Sequence, residues 1–521
     1  MILYTNYLLR QVCKQAISQK EKLAIKTASG KAISWSELSN KVDSLAVNLI
    51  KNGFQRKDRV LFLVKPSIEA IIVLLGVVRA GGVLVTADPA MGEENFKSRV
   101  NISEPKWVFC ESLILGLQRF GFIRKALRER NIELPETGSL FKNIKIIRTG
   151  FWLPVKAGFH LKNLLNHNSQ KNDFIEEELS GDIQVTFTSG TTSAPSGVVH
   201  TSESFDSMVR LVKNSLQSSH QDVFFTNQYY IILPALASGS SVVLNDSLTF
   251  ESKKYYKNLM KFQITHLFDI PKNLQSLIKY CNQKKLKLPK QVSTIITGST
   301  PVLKSFLSNL QEIVEPQTII WSVYGMTEIL PISLVQAKEK IAYNGKGDLL
   351  GKPFDGIDIN FADDEELLVR GPNMCDRYLG KKRLNQVNTG DICKLDKIGR
   401  LILMSRKKDM IIKSHFNIYP TLFETTISQI PGIEQCSMLG IFDHDKQDEK
   451  VILIIVRNNL NTQSDSAFLE TVQNQLKTGK YSIDKYAYPD KFLIIKSLPT
   501  FGRSQKVDKN QLKKIVLANE Y

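Results

Sequence analysis

The sequence predicts an α/β protein with buried strands, followed by a smaller unit of strands and helices, and three observations point there. Runs of about five apolar residues alternate with longer helical patterns through most of the chain, which is the rhythm of α/β construction. The length, 521 residues, is roughly three typical domains and allows two or three substantial cores. From about Asp363 the texture changes to short strands and turns, and a fresh α/β pattern begins beyond Lys408.

The elements follow in order. Val60–Val64 is an unbroken apolar run of strand length. Ile68–Arg79 continues apolar for too long to be a strand and is stopped by Gly81-Gly82, so it reads as a helix, a turn and then the strand Val83–Thr86 rather than a membrane span. Further strands are expected at Ile183–Phe187, Ser241–Leu244, His266–Asp269, Thr294–Thr297 and Ile319–Val323. Glu366–Arg370 is a short strand, with turns at Gly371-Pro372, Gly390-Asp391 and Gly399-Arg400. Strands near Cys436–Ile441, Val451–Val456 and Lys491–Lys496, with a helix near Ser466–Lys477, make the smaller unit. The boundary falls at Arg406–Asp409, dividing the chain into 1–407 and 408–521. Residues from about Phe120 to Asn172 are rich in Lys, Arg and aromatics and show no assignable pattern.

Composition is that of an ordinary globular protein, since 42% hydrophobic and 23% charged residues exclude collagen-like and disordered classes. The net charge of +18 favours anionic partners, but the basic residues are spread: Lys253-Lys254, Lys284-Lys285, Lys381-Lys382-Arg383 and Lys407-Lys408 are short runs on solvated faces. Nothing resembles a nucleic-acid motif. Loose contact with anionic membrane is the second reading, supported by Phe151–Leu165. Six well-separated cysteines without CxxC spacing read as reduced thiols, and the opening segment is broken by Thr5, Asn6 and Arg10, so a cytoplasmic protein, at most peripheral to a membrane, is expected.

The most informative segment is Thr186 to Val199, TFTSGTTSAPSGVV, after the apolar-leaning Ile183, Val185 and Phe187. Thr188, Ser189, Gly190, Thr191, Thr192 and Ser193 combine little bulk with many hydroxyl donors, so backbone N–H groups and Oγ atoms can both approach a phosphate. A flexible Ser/Thr-rich linker is the plainer alternative. Four further segments add chemistry. Gly298-Ser299-Thr300-Pro301, after a strand, can wrap a flat ring with backbone. Tyr324-Gly325-Met326-Thr327-Glu328 offers an aromatic face and a carboxylate able to bind Mg²⁺. Thr389-Gly390-Asp391 offers a carboxylate for ribose hydroxyls. Lys506, in LPTFGRSQKVDK, lies beyond the last strand. Each has a bland counterpart as a turn or a solvated lysine.

Together and in this order these segments resemble the adenylate-forming superfamily of acyl-CoA synthetases, luciferases and peptide-synthetase adenylation domains. Ile33-Ser34-Trp35-Ser36-Glu37-Leu38, Lys57-Asp58-Arg59-Val60 and the block Arg406-Lys407-Lys408-Asp409-Met410-Ile411-Ile412 with Ile418-Tyr419-Pro420 resemble the family's opening and hinge patterns. The resemblance implies a large, multi-subdomain N-terminal adenylate-forming domain and a small mobile α+β C-terminal domain. It implies ATP- and Mg²⁺-dependent conversion of a carboxylic acid, fatty or fatty-derived, to an acyl-AMP, then transfer to CoA. Ser189, Thr191 and Thr192 would steer phosphates, Glu328 would hold Mg²⁺, and Gly298–Pro301 with Tyr324 would sandwich adenine. Asp391 and Arg406 would fix ribose, Lys506 would bridge the carboxylate and the α-phosphate, and Lys408 would be the hinge.

Departures accompany the resemblance. The family's loop usually reads TSGTTGxPKG, whereas here Ser193 replaces the second glycine and Ser196 the lysine. The family's Gly-Lys is Gln505-Lys506, with Gly502-Arg503 as a competing alignment, and His415 stands where a glycine commonly opens the path for CoA. Asp88-Pro89-Ala90-Met91-Gly92, Leu117–Phe122 and Tyr324–Pro331 are similar to the olefin-pathway branch, whose enzymes close β-hydroxy acids to β-lactones without CoA. A non-catalytic relative that binds nucleotide or acyl ligand is the alternative from another class. Tyr229, Tyr230, Ile231 and Leu233, with Pro331, are candidates for the acyl pocket or, equally, for core.

Overall fold

The computed structural model describes residues 6–89, 93–116, 140–150, 158–165, 181–187, 196–247, 250–413, 416–443, 448–458, 463–501 and 506–518. Two large sheets dominate. The first has its parallel centre in Asp182–Phe187 (β1), Val83–Thr86, Arg59–Leu63, Trp107–Glu111, Lys145–Thr149 and Phe159–His160. Gly197–Thr201 (β2) returns antiparallel beside β1 with Phe187 opposite Gly197, so residues 188–196 cap a hairpin.

The second sheet runs parallel through Leu23–Thr27, Ser241–Leu244, Val223–Phe225, His266–Phe268, Thr294–Thr297 (β3) and Ile319–Met326 (β4). It then turns antiparallel through Ile329–Gln336 (β5) and Asp348–Pro353. A two-residue strand, Arg377–Tyr378 (β6), crosses to the first sheet and pairs with β2. Val387–Leu395 (β7) and Leu401–Arg406 (β8) continue the second sheet, with Asp391 opposite Arg406.

Local chemistry accounts for the helices that cover these sheets. Trp35–Lys51 starts with a reciprocal cap: Glu37 N donates to Ser34 Oγ at 3.2 Å and Ser34 N donates to the Glu37 carboxylate at 3.1 Å. Ile68–Arg79 is capped by Ser67 and is buried along its middle, as its apolar sequence requires. Both pack with Tyr229–Ala237 (α1) into one large core that includes Leu45, Ile71 and Phe224. No helix among the described residues is long and apolar enough to cross a membrane. Phe159 is exposed, while 151–157 of the basic-aromatic stretch lie outside the described residues.

Residues beyond Ile411 bury their apolar side chains among themselves. Ile433–Asp443 pairs antiparallel with Asp448–Arg457, which pairs parallel with Lys491–Ile495. Met438, Leu453, Ile455, Phe468 and Val472 fill one face of this sheet, and Leu439, Ile454, Leu512 and Val516 the other. Between the two sets of cores lies the single 3₁₀ turn Lys407–Asp409.

Two expectations need correction. Gly390-Asp391 is not a turn but lies inside β7, where Gly390 takes φ +69. An L side chain is strained at that angle, and glycine lets the strand continue. The strand expected at Ile319–Val323 runs on through Tyr324-Gly325-Met326 to complete β4, leaving Thr327-Glu328 as the turn of a tight hairpin into β5. None of the six cysteines forms a disulfide, and burial pushes the Cys375 thiol up to about 12.

Candidate active site

The C-terminal ends of β3 and β4, where parallel sheets leave room for ligands, form one wall of the site. Gly298 follows β3 so closely that a Cβ there would lie 2.5 Å from Val323 Cγ1 and 2.9 Å from the Val323 carbonyl oxygen. Only glycine fits, and it brings the backbone of 298–301 beside β4. Ser299 takes a left-handed φ of +69, and its hydroxyl lies 3.1 Å from the Tyr230 hydroxyl at the start of α1. Thr300 is half-buried and Pro301 exposed.

Tyr324 and Asp391 meet across the sheet. The Tyr324 hydroxyl donates to Asp391 Oδ2 at 2.6 Å, and Arg406 Nε lies 2.9 Å from Asp391 Oδ1. That ion pair lacks hydrogen-bond alignment, so Oδ1 remains a buried acceptor with capacity to spare. Asp391 is only 2% exposed. Burial raises its carboxyl above the ordinary aspartate range, with Arg406, Tyr324 and Lys506 opposing the shift. Tyr324 is pushed far up by burial and by Asp391, which keeps it a neutral donor.

Glu328 is 6% exposed and sits on the hairpin turn after β4. Tyr378 on β6 donates its hydroxyl to Glu328 Oε1 at 3.0 Å, and Cys375 N donates to the Glu328 carbonyl at 2.7 Å. His200 on β2 lies with Nε2 2.8 Å from the Thr327 carbonyl. A carbonyl only accepts, so Nε2 carries the proton; burial lowers the imidazole's pKa, partly offset by that bond, and favours the neutral ring. One hard oxygen donor suits Mg²⁺, which is held by one or two carboxylates together with substrate phosphates.

Lys506 comes from the smaller unit, on the two-residue strand Lys506–Val507 that pairs with Thr500–Phe501. It enters the fields of Arg406, Lys408, Asp391 and Glu328. Burial lowers its pKa, Arg406 and Lys408 lower it further, and Asp391 and Glu328 oppose them. Lys408 itself is exposed on the 3₁₀ turn. The structure therefore gathers Gly298–Pro301, Tyr324–Glu328, Asp391, Arg406 and Lys506. Thr188–Ser193, with Thr191 among them, lie outside the described residues, as do His415, Gln505 and the competing Gly502-Arg503. Met91-Gly92 and Leu117–Phe122 lie outside them too.

Of the acyl-pocket candidates, Ile231 and Leu233 are core residues, 3% and 1% exposed. Tyr229 packs edge-on against Phe62 beside the same core, leaving Tyr230 as the side chain of this group that reaches Ser299. Pro331 is buried, its carbonyl accepting from Asn373 Nδ2 at 2.8 Å. Sequence reasoning missed His200, Tyr378 and Arg377. Their contacts span 127, 50 and 195 residues, and no local spacing announces them.

A close-approach glycine, an aromatic ring, a buried carboxylate with a spare acceptor and a nearby lysine are groups that suit a nucleotide-using α/β enzyme. The model of the family described as AMP-binding enzyme matches residues 12–379. The chain belongs to that family. Among curated proteins it is similar to the 2-succinylbenzoate–CoA ligase of Listeria monocytogenes serotype 4b (strain F2365), 25% identical across 98% of this chain and 99% of the relative. It is also similar to the medium-chain fatty-acid–CoA ligase of Escherichia coli (strain K12), 22% identical across 94% and 88%. Among solved structures, ATP-bound MatB from Rhodopseudomonas palustris superposes with a TM-score of 0.78 at 21% identity, covering 98% of this chain and 99% of that one, a likeness of fold.

Proposed function

We propose that the protein is an ATP- and Mg²⁺-dependent acid–CoA ligase. A substrate carboxylate oxygen attacks the α-phosphorus of ATP, the bond from that phosphorus to the bridging oxygen breaks, and pyrophosphate leaves with the electron pair. The thiol sulfur of CoA then attacks the acyl carbonyl of the acyl-AMP, AMP leaves and the thiol proton is released. Attack of one anion on another needs charge neutralisation and alignment more than covalent help. The meeting of Tyr324, Asp391 and Arg406 at the end of the second sheet, with Lys506 in the same electrostatic field, carries this reading.

In it, Tyr324 and Gly298–Pro301 flank the base, Asp391 Oδ1 accepts from ribose, and Arg406 holds Asp391 in its charged form. Lys506 sets its ammonium between carboxylate and α-phosphate. Glu328 would hold Mg²⁺, which when bound neutralises phosphate charge. The smaller unit, 408–521, turns about Lys408 to admit CoA once the adenylate has formed. The relatives support CoA as acceptor, and their named acids, one aryl and one medium-chain, support an acid with an extended apolar or aromatic body. A fatty or fatty-derived acid is the finer reading.

Hydroxamate trapping of acyl-AMP over short, medium, long, aryl and β-hydroxy acids, with products analysed with and without CoA, tests it. The expected result is trapping with extended acids, and thioester only when CoA is added. β-Lactone without CoA would replace the second half of the proposal, and no trapping with any acid would overturn the whole.

A further inference from the structure

The turn Thr327-Glu328 is gripped from strands that belong to the other sheet. β6 pairs with β2, placing Arg377 opposite Val199 and Tyr378 opposite Val198. Asp376 N donates to the Val199 carbonyl at 2.9 Å and Leu379 N to the Gly197 carbonyl at 2.7 Å, so residues 376–379 lie along the strand that leaves the phosphate-type loop. Arg377 anchors the far end of this hairpin, with Nη1 2.9 Å and Nη2 2.6 Å from the two carboxylate oxygens of Asp182 at the start of β1. On its other side the same segment holds the turn: Met374 bridges to Ile329, Cys375 N binds the Glu328 carbonyl, and the Tyr378 hydroxyl binds the Glu328 carboxylate. His200 on β2 holds the carbonyl of Thr327.

We infer that Tyr378 and His200 are positioning residues that fix the turn Thr327-Glu328, and with it the Glu328 carboxylate, against β2 and β6 of the first sheet, so that a cation bound with ATP meets a carboxylate already held in place. The inference rests on the reading of Glu328 as the metal carboxylate. Glu328 belongs to the second sheet and its two holders to the first, and a side-chain bond to the carboxylate with another to the turn's backbone joins them. A neutral phenol is suited to this, because it orients Glu328 Oε1 without cancelling the charge that a cation needs. Mg²⁺ demands near-ideal octahedral geometry, so small errors in carboxylate position weaken its hold. Ser196 in place of a loop lysine leaves more of the phosphate charge to the metal.

A purely structural role would satisfy the same buried groups, so metal affinity has to be read apart from fold stability. Mn²⁺ binding to the enzyme–ATP complex, followed by electron paramagnetic resonance, and the melting midpoint of the ligand-free protein would be measured for Tyr378→Phe, His200→Leu, His200→Gln and Glu328→Gln. The Gln side chain can return an N–H donor near the Nε2 position. Tyr378→Phe and His200→Leu are expected to weaken Mn²⁺ roughly tenfold, as loss of an outer partner does, with His200→Gln recovering most of it and the melting midpoint little changed. Wild-type Mn²⁺ affinity in Tyr378→Phe and His200→Leu, with loss in Glu328→Gln, would overturn the inference. Wild-type affinity in Glu328→Gln would instead remove the metal reading beneath it. Should Tyr378→Phe melt early, the Leu and Gln variants of His200 decide: equal weakening in both overturns the positioning role, and recovery in Gln supports it.

Discussion

The two sides of the proposed site are built differently. On the side proposed for adenosine, Tyr324, Asp391 and Arg406 sit on β4, β7 and β8 of one sheet, and the carboxylate is already hydrogen-bonded and paired. On the side proposed for the reaction, Lys506 stands on a strand of two residues that belongs to the smaller unit, and one 3₁₀ turn joins that unit to the sheet. In the proposed mechanism the first side is pre-assembled and the second is delivered. Nucleotide affinity should therefore track the sheet residues, while the rate of adenylation should track the lysine.

Removing the delivered cation tests the contrast at its largest. Lys506→Ala is expected to cost roughly 10²–10³ in the adenylation rate, the usual loss for one transition-state donor, with ATP affinity changed little. Rapid-quench measurement of acyl-AMP formation beside calorimetric ATP binding separates the two quantities. Equal losses in both would show that the lysine is part of the binding side and would erase the distinction.

Asp391→Asn probes the pre-assembled side. It removes the charge that pairs with Arg406 and weakens a charge-assisted bond to ribose, so the KM for ATP should rise roughly 10- to 100-fold, following about 1.5–3 kcal/mol for such a bond. The pH profile sharpens the same comparison. Asp391 must be ionised and its pKa is raised, so activity climbs with pH through a value above the ordinary aspartate range. Lys506 must be protonated and its pKa is lowered, so activity falls again at a pH below that of a free lysine. Lys506→Arg should abolish the alkaline limb alone and Asp391→Asn the acid limb alone, as the pH dependence of kcat/KM for ATP in the adenylation half-reaction would read out.

The sequence was most legible where the chemistry is local. Ser241–Leu244 and Thr294–Thr297 are strands at the expected residues because four-residue apolar or β-branched runs bounded by turn formers have few alternatives. Tyr324 and Asp391 stand out in their local segments and Arg406 through the family resemblance alone, and the sheet brings the three together. Gly390 misled because Thr-Gly-Asp is a common turn; here the pairing of β7 with β8 overrides that preference and uses the glycine to bend a continuing strand. Tyr378 and His200 stayed hidden for a different reason. Their hydrogen bonds depend on the approach of two sheets, and a lone tyrosine or histidine in a strand carries no local mark of its partner.

The smallest effect concerns the phosphate loop. Ser196 is exposed at the foot of β2, immediately before Gly197, whose carbonyl accepts from Leu379 N. If the delivered side supplies charge at the α-phosphate and the metal carboxylate supplies it farther along, an extra cation at 196 should improve binding without speeding the reaction. A solvent-facing charge pair is worth about 1 kcal/mol at 4 Å, so Ser196→Lys is expected to lower the KM for ATP roughly threefold to tenfold and leave the rate at saturating ATP unchanged. The gain should shrink as salt is raised from 50 to 500 mM, since exposed charges are screened beyond roughly 10 Å at 0.1 M. An increase in rate at saturating ATP would mean that position 196 acts on the transition state, which would put the loop on the reaction side of the comparison rather than the binding side.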